Sequence, residues 1–186
     1  MPTRTERKLE EAQFFLRHVE HYWRNVPQID FHLSAFVSAA RSVTWVMGAE
    51  FRHVSGWQEW YDSKKPSQET RTLLKSMTDL RNEAIKTHPL RTQTQAQVTI
   101  APEHITDEVR SFLANGAQGK LKLEPTEPSN THFLLMHGAR VLAPVTLQSA
   151  EHHLPGFKGR DAKDVCREYL TELEALVAEC LQRFAP

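Results

Sequence analysis

The stretch Asp79-Leu80-Arg81-Asn82-Glu83-Ala84-Ile85-Lys86-Thr87-His88-Pro89 brings a guanidinium, a side-chain amide and an imidazole close together in the chain. Arg81 and His88 are seven positions apart, nearly two helical turns, so a helix here sets both on one face. Their Cα atoms then lie ~10.5 Å apart along the axis, within reach of a single phosphate. The chemistry on offer is proton transfer beside a phosphate. Histidine titrates near neutral pH, and arginine's donor fork matches phosphate oxygens and stays charged as negative charge builds. Asn82 can hydrogen-bond that phosphate or orient His88. At a helix C-terminus the dipole favours protonated His88, which suits a general acid. A purely structural reading stands beside this one: Arg81 pairs with Asp79 or Glu83, or caps a neighbouring helix, and His88 answers the dipole.

The elements that must position these groups follow from hydrophobic spacing. Leu9, Ala12, Leu16, Val19, Trp23 and Val26 recur at three and four, which predicts a first helix from Thr5 to Asn25, stopped by Pro27. Asp30 is the expected N-cap of a second helix, with Leu33, Val37, Ala40, Thr44, Met47 and Phe51 on one face. Small residues at Ser34, Ala35, Ser38, Ala39 and Ala40 would let a neighbour pack closely. The Gly56 to Pro66 connection, with Trp57, Trp60 and Tyr61, reads as a loop anchored by its aromatics or as a stacking platform for bases. A third helix is expected from Ser67 to His88, where Pro89 ends it. Asp161 then caps a last helix carrying Val165, Tyr169, Leu173, Leu176, Cys180 and Phe184.

Between these helices the period changes. Ala96, Val98 and Ile100 alternate with polar residues, as do Leu121 and Leu123, while 133–136 and 141–147 are strand-like around a His137-Gly138-Ala139 turn. A short helix is expected after Thr106, ending at Asn115-Gly116. The expected fold is therefore mainly α: a single domain over 1–186, with four helices in 5–90 and 161–185 and a β-containing insertion at 91–160.

Composition narrows the function classes. Lysine plus arginine and aspartate plus glutamate number 23 each, so no overall positive field draws nucleic acid and any RNA contact must come from a local patch. No 18-residue apolar window occurs, and a charged N-terminal stretch has no apolar run behind it, so a cytoplasmic protein without membrane contact is expected. Cys166 and Cys180, 14 positions apart on one helix, would be ~21 Å apart, too far for a disulfide. His18 and His21 with Glu151-His152-His153 lack zinc-signature spacing, and no phosphate loop or nucleophile elbow is present. No metal or cofactor is expected. Lys120, Lys122, Lys158, Arg160 and Lys163 read as solvated surface or as a basic rim.

Leu80-Arg81-Asn82 through His88, near the end of a helix, resembles the signature of the HEPN superfamily: an arginine, a polar residue, then a histidine four to six positions on. The resemblance covers the helical parts, and the segment from Phe31 to Tyr61 is similar to divergent bacterial members. It implies an up-and-down four-helix bundle with the small β-containing insertion before the last helix, and a metal-independent endoribonuclease of toxin–antitoxin or defence type. There the ribose 2′-hydroxyl attacks the adjacent phosphate, with Arg81, Asn82 and His88 as catalytic residues. It also implies a homodimer through the helix carrying Arg81 and His88, RNA as substrate, and an antitoxin protein as partner. In the family's shorter register the histidine position falls on Lys86. The second expectation is a non-catalytic dimeric interaction protein of the same architecture, binding a protein or small ligand.

Overall fold

The computed structural model describes residues 1–24, 26–64, 68–86, 90–115, 132–157 and 159–185. Helix α1 (Arg4–His21) opens with a reciprocal cap: the Thr3 hydroxyl accepts from Glu6 N, and Thr3 N donates to the Glu6 carboxylate. Ala12, Leu16 and Val19 form its buried seam. It ends at His21, short of the expected Asn25, with Tyr22 N donating to the His18 carbonyl.

Helix α2 (Val26–Phe51) is the central one and packs against α1, α4 and α6. Its start differs from expectation. Pro27 sits in the first turn, where a missing N–H leaves no bond unmade, so the residue expected to stop one helix begins the next. Asp30 is therefore interior to α2, and its carboxylate instead accepts from Thr92 N (3.0 Å) and Thr92 Oγ1 (2.8 Å). Ile29, Leu33, Phe36, Val37, Ala40, Val43 and Met47 are buried along its inner face.

The aromatic connection contains a seven-residue helix, α3 (Trp57–Ser63), which was expected to be loop. Its burial explains it: Trp57 and Trp60 enter the core, Trp57 stacks on Tyr61 at 4.8 Å, and Trp60 Nε1 donates to Glu179 at 2.9 Å. These aromatics anchor the segment, as the first of the two readings held. Helix α4 (Gln68–Lys86) buries Leu73, Met77 and Leu80; the expected first residue, Ser67, lies outside the described residues. Helix α5 (Asp107–Ala114) starts at the Thr106 cap, and α6 (Ala162–Phe184) at Asp161, whose carboxylate accepts from Lys163 N at 2.8 Å. Cys166 and Cys180 are buried free thiols on α6.

Strands β1 (Gln93–Thr99), β2 (His132–His137) and β3 (Arg140–His153) form an antiparallel sheet in the order β1-β3-β2. The 14-residue β3 pairs with β2 over its first half and with β1 over its second, and the two ladders share only Thr146. The expected turn between β2 and β3 is present but shorter, since His137 closes β2 and Gly138, at φ 61°, and Ala139 make the two-residue connection. The segment holding Leu121 and Leu123 lies outside the described residues. The mainly α class with a small antiparallel sheet thus holds, with six helices among the described residues.

Two apolar clusters result, one among the helices and one built on Phe133, Leu135, Val145, Leu147 and Ala150 of the sheet. Trp23 packs against both. The buried His152 of β3 ties them together: its Nε2 lies 2.5 Å from the Trp23 carbonyl and its Nδ1 2.9 Å from Thr94 Oγ1. A carbonyl only accepts, so the neutral ring carries its proton on Nε2 and accepts the Thr94 hydroxyl at Nδ1. Burial holds this imidazole below its ordinary pKa, against the opposing pull of the Trp23 carbonyl, Asp161 and Asp30.

Candidate functional site

Arg41 and Trp45 are one turn apart on α2, and on α4 Thr78 precedes Arg81 and Asn82 by three and four positions. Where the two helices lie side by side, these residues and Ser42 line a groove of about 250 Å³. Arg41 is fixed from two sides: Nε donates to Thr78 Oγ1 at 2.9 Å and Nη1 to Thr44 Oγ1 at 3.0 Å. Thr78 can accept because its own proton goes to the Leu74 carbonyl, 2.7 Å away. Two neutral hydroxyls thus aim the fork without cancelling its charge.

Arg81 Nη1 donates to Asn82 Oδ1 at 3.3 Å, which leaves the Asn82 amide N–H groups as donors. Neither Arg41 nor Arg81 forms an ion pair with a carboxylate among the described residues. Among the described residues, the side-chain partner of Arg81 is Asn82. Trp45, 72% exposed, stands at the groove's edge, and beyond it a second hollow of about 420 Å³ is lined by Arg52, Trp57, Gln58 and Tyr61.

Tyr169 of α6 feels the Arg41 charge from the core side. Its hydroxyl is buried without a hydrogen-bond partner among the described residues. Burial pushes the phenol up to about 12, with Arg41 opposing and Tyr61 adding to the rise. Among the described residues, the groove is lined by no carboxylate, imidazole or thiol. What they offer is charge and hydrogen-bond donors.

Of the residues singled out from the sequence, Arg81 and Asn82 meet in this groove, and Lys86 is exposed at the last position of α4. His88, and Pro89 beside it, lie outside the described residues. Arg41, Trp45 and Thr78 were not foreseen as site residues. The available signal was the Arg41–Trp45 spacing of four on the outer side of α2.

The other candidates have structural roles. His18 stacks on His32 at 5.3 Å and meets Phe14 at 4.3 Å with the rings tilted, and no group of three or more His, Cys, Asp or Glu among the described residues is placed to hold a metal. In the basic rim, Arg160 pairs with Glu168 and Lys163 sits 4.4 Å over the Trp23 ring. Lys120, Lys122 and Lys158 lie outside the described residues. No helix among the described residues is long and apolar enough to cross a membrane.

Fold and groove define a mainly α-helical protein with a small antiparallel sheet and an arginine-lined cleft between two helices. The family model described as bacteriophage lambda protein ea47 matches residues 2–163, and the chain belongs to that family. No curated protein and no solved structure matched the chain. The HEPN resemblance is thereby corrected, together with the ribonuclease and toxin–antitoxin assignments that came with it. The physical reason is that an arginine and a histidine two turns apart on an amphipathic helix are a short pattern, which helices meet without shared ancestry.

Proposed function

We propose that this chain is a non-catalytic RNA-binding protein that seats a phosphate of a single-stranded segment in the α2–α4 groove. The observation that carries the reading is the pair of guanidiniums, Arg41 and Arg81, in one groove and free of carboxylate partners among the described residues. In a chain of zero net charge, such a local excess is where an anion is held. Arg41 is pre-aimed by Thr78 and Thr44, which lowers the ordering cost of a bidentate phosphate contact. Asn82 adds amide donors for a second phosphate oxygen or a base edge.

The test is fluorescence anisotropy of a labelled single-stranded RNA oligonucleotide across a salt series. A charge-assisted hydrogen bond contributes about 1.5–3 kcal/mol, so Arg41→Ala and Arg81→Ala should each weaken binding about 10-fold or more. The double variant should also show a shallower dependence on salt, because fewer counterions are released. Wild-type affinity in the double variant would remove the assignment.

A further inference from the structure

Among the described residues one face of α2 is left without a packed helix or strand, and that face carries aromatic and small side chains. Its positions Phe31, Ala35, Ser38, Ser42, Trp45 and Ala49, the first and last two exposed and the three between them half-buried, recur at four, three, four, three and four, the repeat by which two helices form a seam. Phe31 and Trp45 are 67% and 72% exposed, and none of the six positions is charged, Arg41 lying at the edge of the stripe toward α4. The exposed side of α4 shows the contrast, with Arg71, Lys75, Asp79, Glu83 and Lys86 pointing to solvent. With its core on one side and this stripe on the other, α2 is apolar or small on nearly every face. Such a helix belongs in an interior.

We infer that the stripe is covered by a second copy of the same chain, α2 against α2 in antiparallel sense, with the twofold axis at Ser38. The spacing is close to palindromic about that residue: Phe31 is seven positions before it and Trp45 seven after, Ala35 three before and Ser42 four after. Antiparallel pairing therefore sets each Phe31 against the partner's Trp45. The small side chains fall at the crossing, where the axes approach most closely, and the helix dipoles oppose.

The area is consistent with this occupant. At ~150–250 Å² per aromatic side chain, Phe31 and Trp45 leave about 300 Å² open per copy. The four rings of a dimer then supply about half of the ~1,200 Å² that a stable interface buries at minimum. The small residues of the stripe, ~27 Å long from Phe31 to Ala49, and the α4 rim beside it provide the remainder. Because Trp45 also lines the groove, the partner's Phe31 becomes part of its wall. The pairing does not depend on which ligand the groove takes.

Sedimentation of the intact chain should give twice the 21.4 kDa mass at tens of micromolar. Ser38→Arg should give the monomer with an unchanged far-ultraviolet spectrum, since this half-buried position lies outside the core. Buried Cys166 and Cys180 leave an engineered thiol as the reactive one, so Ser38→Cys should oxidise to a covalent dimer. Phe31→Cys should not cross-link to itself, because antiparallel pairing holds those positions ~21 Å apart, but should cross-link when mixed with Trp45→Cys. A wild-type monomer at these concentrations would overturn the inference and assign the stripe to a different protein. A dimer that survives Ser38→Arg, or a self-cross-linking Phe31→Cys, would place the axis elsewhere and overturn it equally.

Discussion

Replacing His152 with phenylalanine keeps an aromatic ring at the joint between helices and sheet and deletes both of its hydrogen bonds. The Trp23 carbonyl, 2.5 Å from Nε2, and the Thr94 hydroxyl, 2.9 Å from Nδ1, both lose their partner. His152 is 1% exposed, while Trp23 and Thr94 are half-buried at the edge of the joint. A buried polar group left unpaired costs about 1–3 kcal/mol, which for two groups gives about 2–6 kcal/mol, the lower end applying to these half-buried partners. Urea unfolding at neutral pH reads this directly, and His152→Gln, whose amide can replace the Nε2–H donor, should recover part of it. A phenylalanine variant within about 1 kcal/mol of wild type would refute the assignment of this residue as a tie. The pH dependence carries an independent signature. Burial depresses the folded-state pKa below the ordinary 6.5, so the unfolded chain takes up the proton first as pH falls. Stability is then complete above 6.5 and declines as pH drops from 6.5 toward the folded value. The phenylalanine variant should lose that share of the slope, while His32, lowered by burial and by neighbouring His18, retains its own.

Three further outcomes follow from the geometry. Tyr169→Phe removes a buried hydroxyl with no partner among the described residues and should raise the unfolding free energy by about 1 kcal/mol; a loss instead would reveal a partner for that group. Thr78→Val leaves the Arg41 Nε without its acceptor and should weaken RNA binding about fivefold in the anisotropy assay, with little change in melting temperature. Glu50→Gln should destabilise the start of α1 by about 1 kcal/mol, because the carboxylate accepts from Arg4 N, Thr5 N and Thr5 Oγ1. Burial would raise the Glu50 pKa, but the Thr5 hydroxyl, these amides and Arg4 together lower it. Wild type therefore keeps this contribution above the ordinary 4.5 and loses it as pH falls through the folded value, a decline the glutamine variant should lack in a melting series.

The elements most legible in the sequence are those whose ends are decided locally. Asp161 and Thr106 cap the helices they precede, and Gly138 makes the turn its neighbours require. Asp30 misled because its carboxylate is spent on Thr92, 62 positions away, a contact no window around it contains. Helix α3 is short enough that only the core receiving Trp57 and Trp60 makes it a helix. The site was half visible for a related reason. Arg81 and Asn82 are adjacent in the chain, whereas Arg41 reaches them through the α2–α4 packing and a threonine hydroxyl. The family resemblance failed because its diagnostic residues were few and on one helix, with nothing in the insertion to test it.

The two ladders that meet only at Thr146 also set an order of assembly. The β2–β3 hairpin closes through a two-residue turn and is local enough to form in ~1–10 μs. Partners in the β1–β3 ladder, from Thr99↔Thr146 to Gln93↔His153, are 47 to 60 positions apart. Closing that loop costs on the order of 3 kcal/mol more in chain entropy than closing the turn. The hairpin is thus the early piece and β1 the late arrival. His152, bonded at once to Thr94 of β1 and to the Trp23 carbonyl beyond α1, is the clasp that shuts once both have come into place.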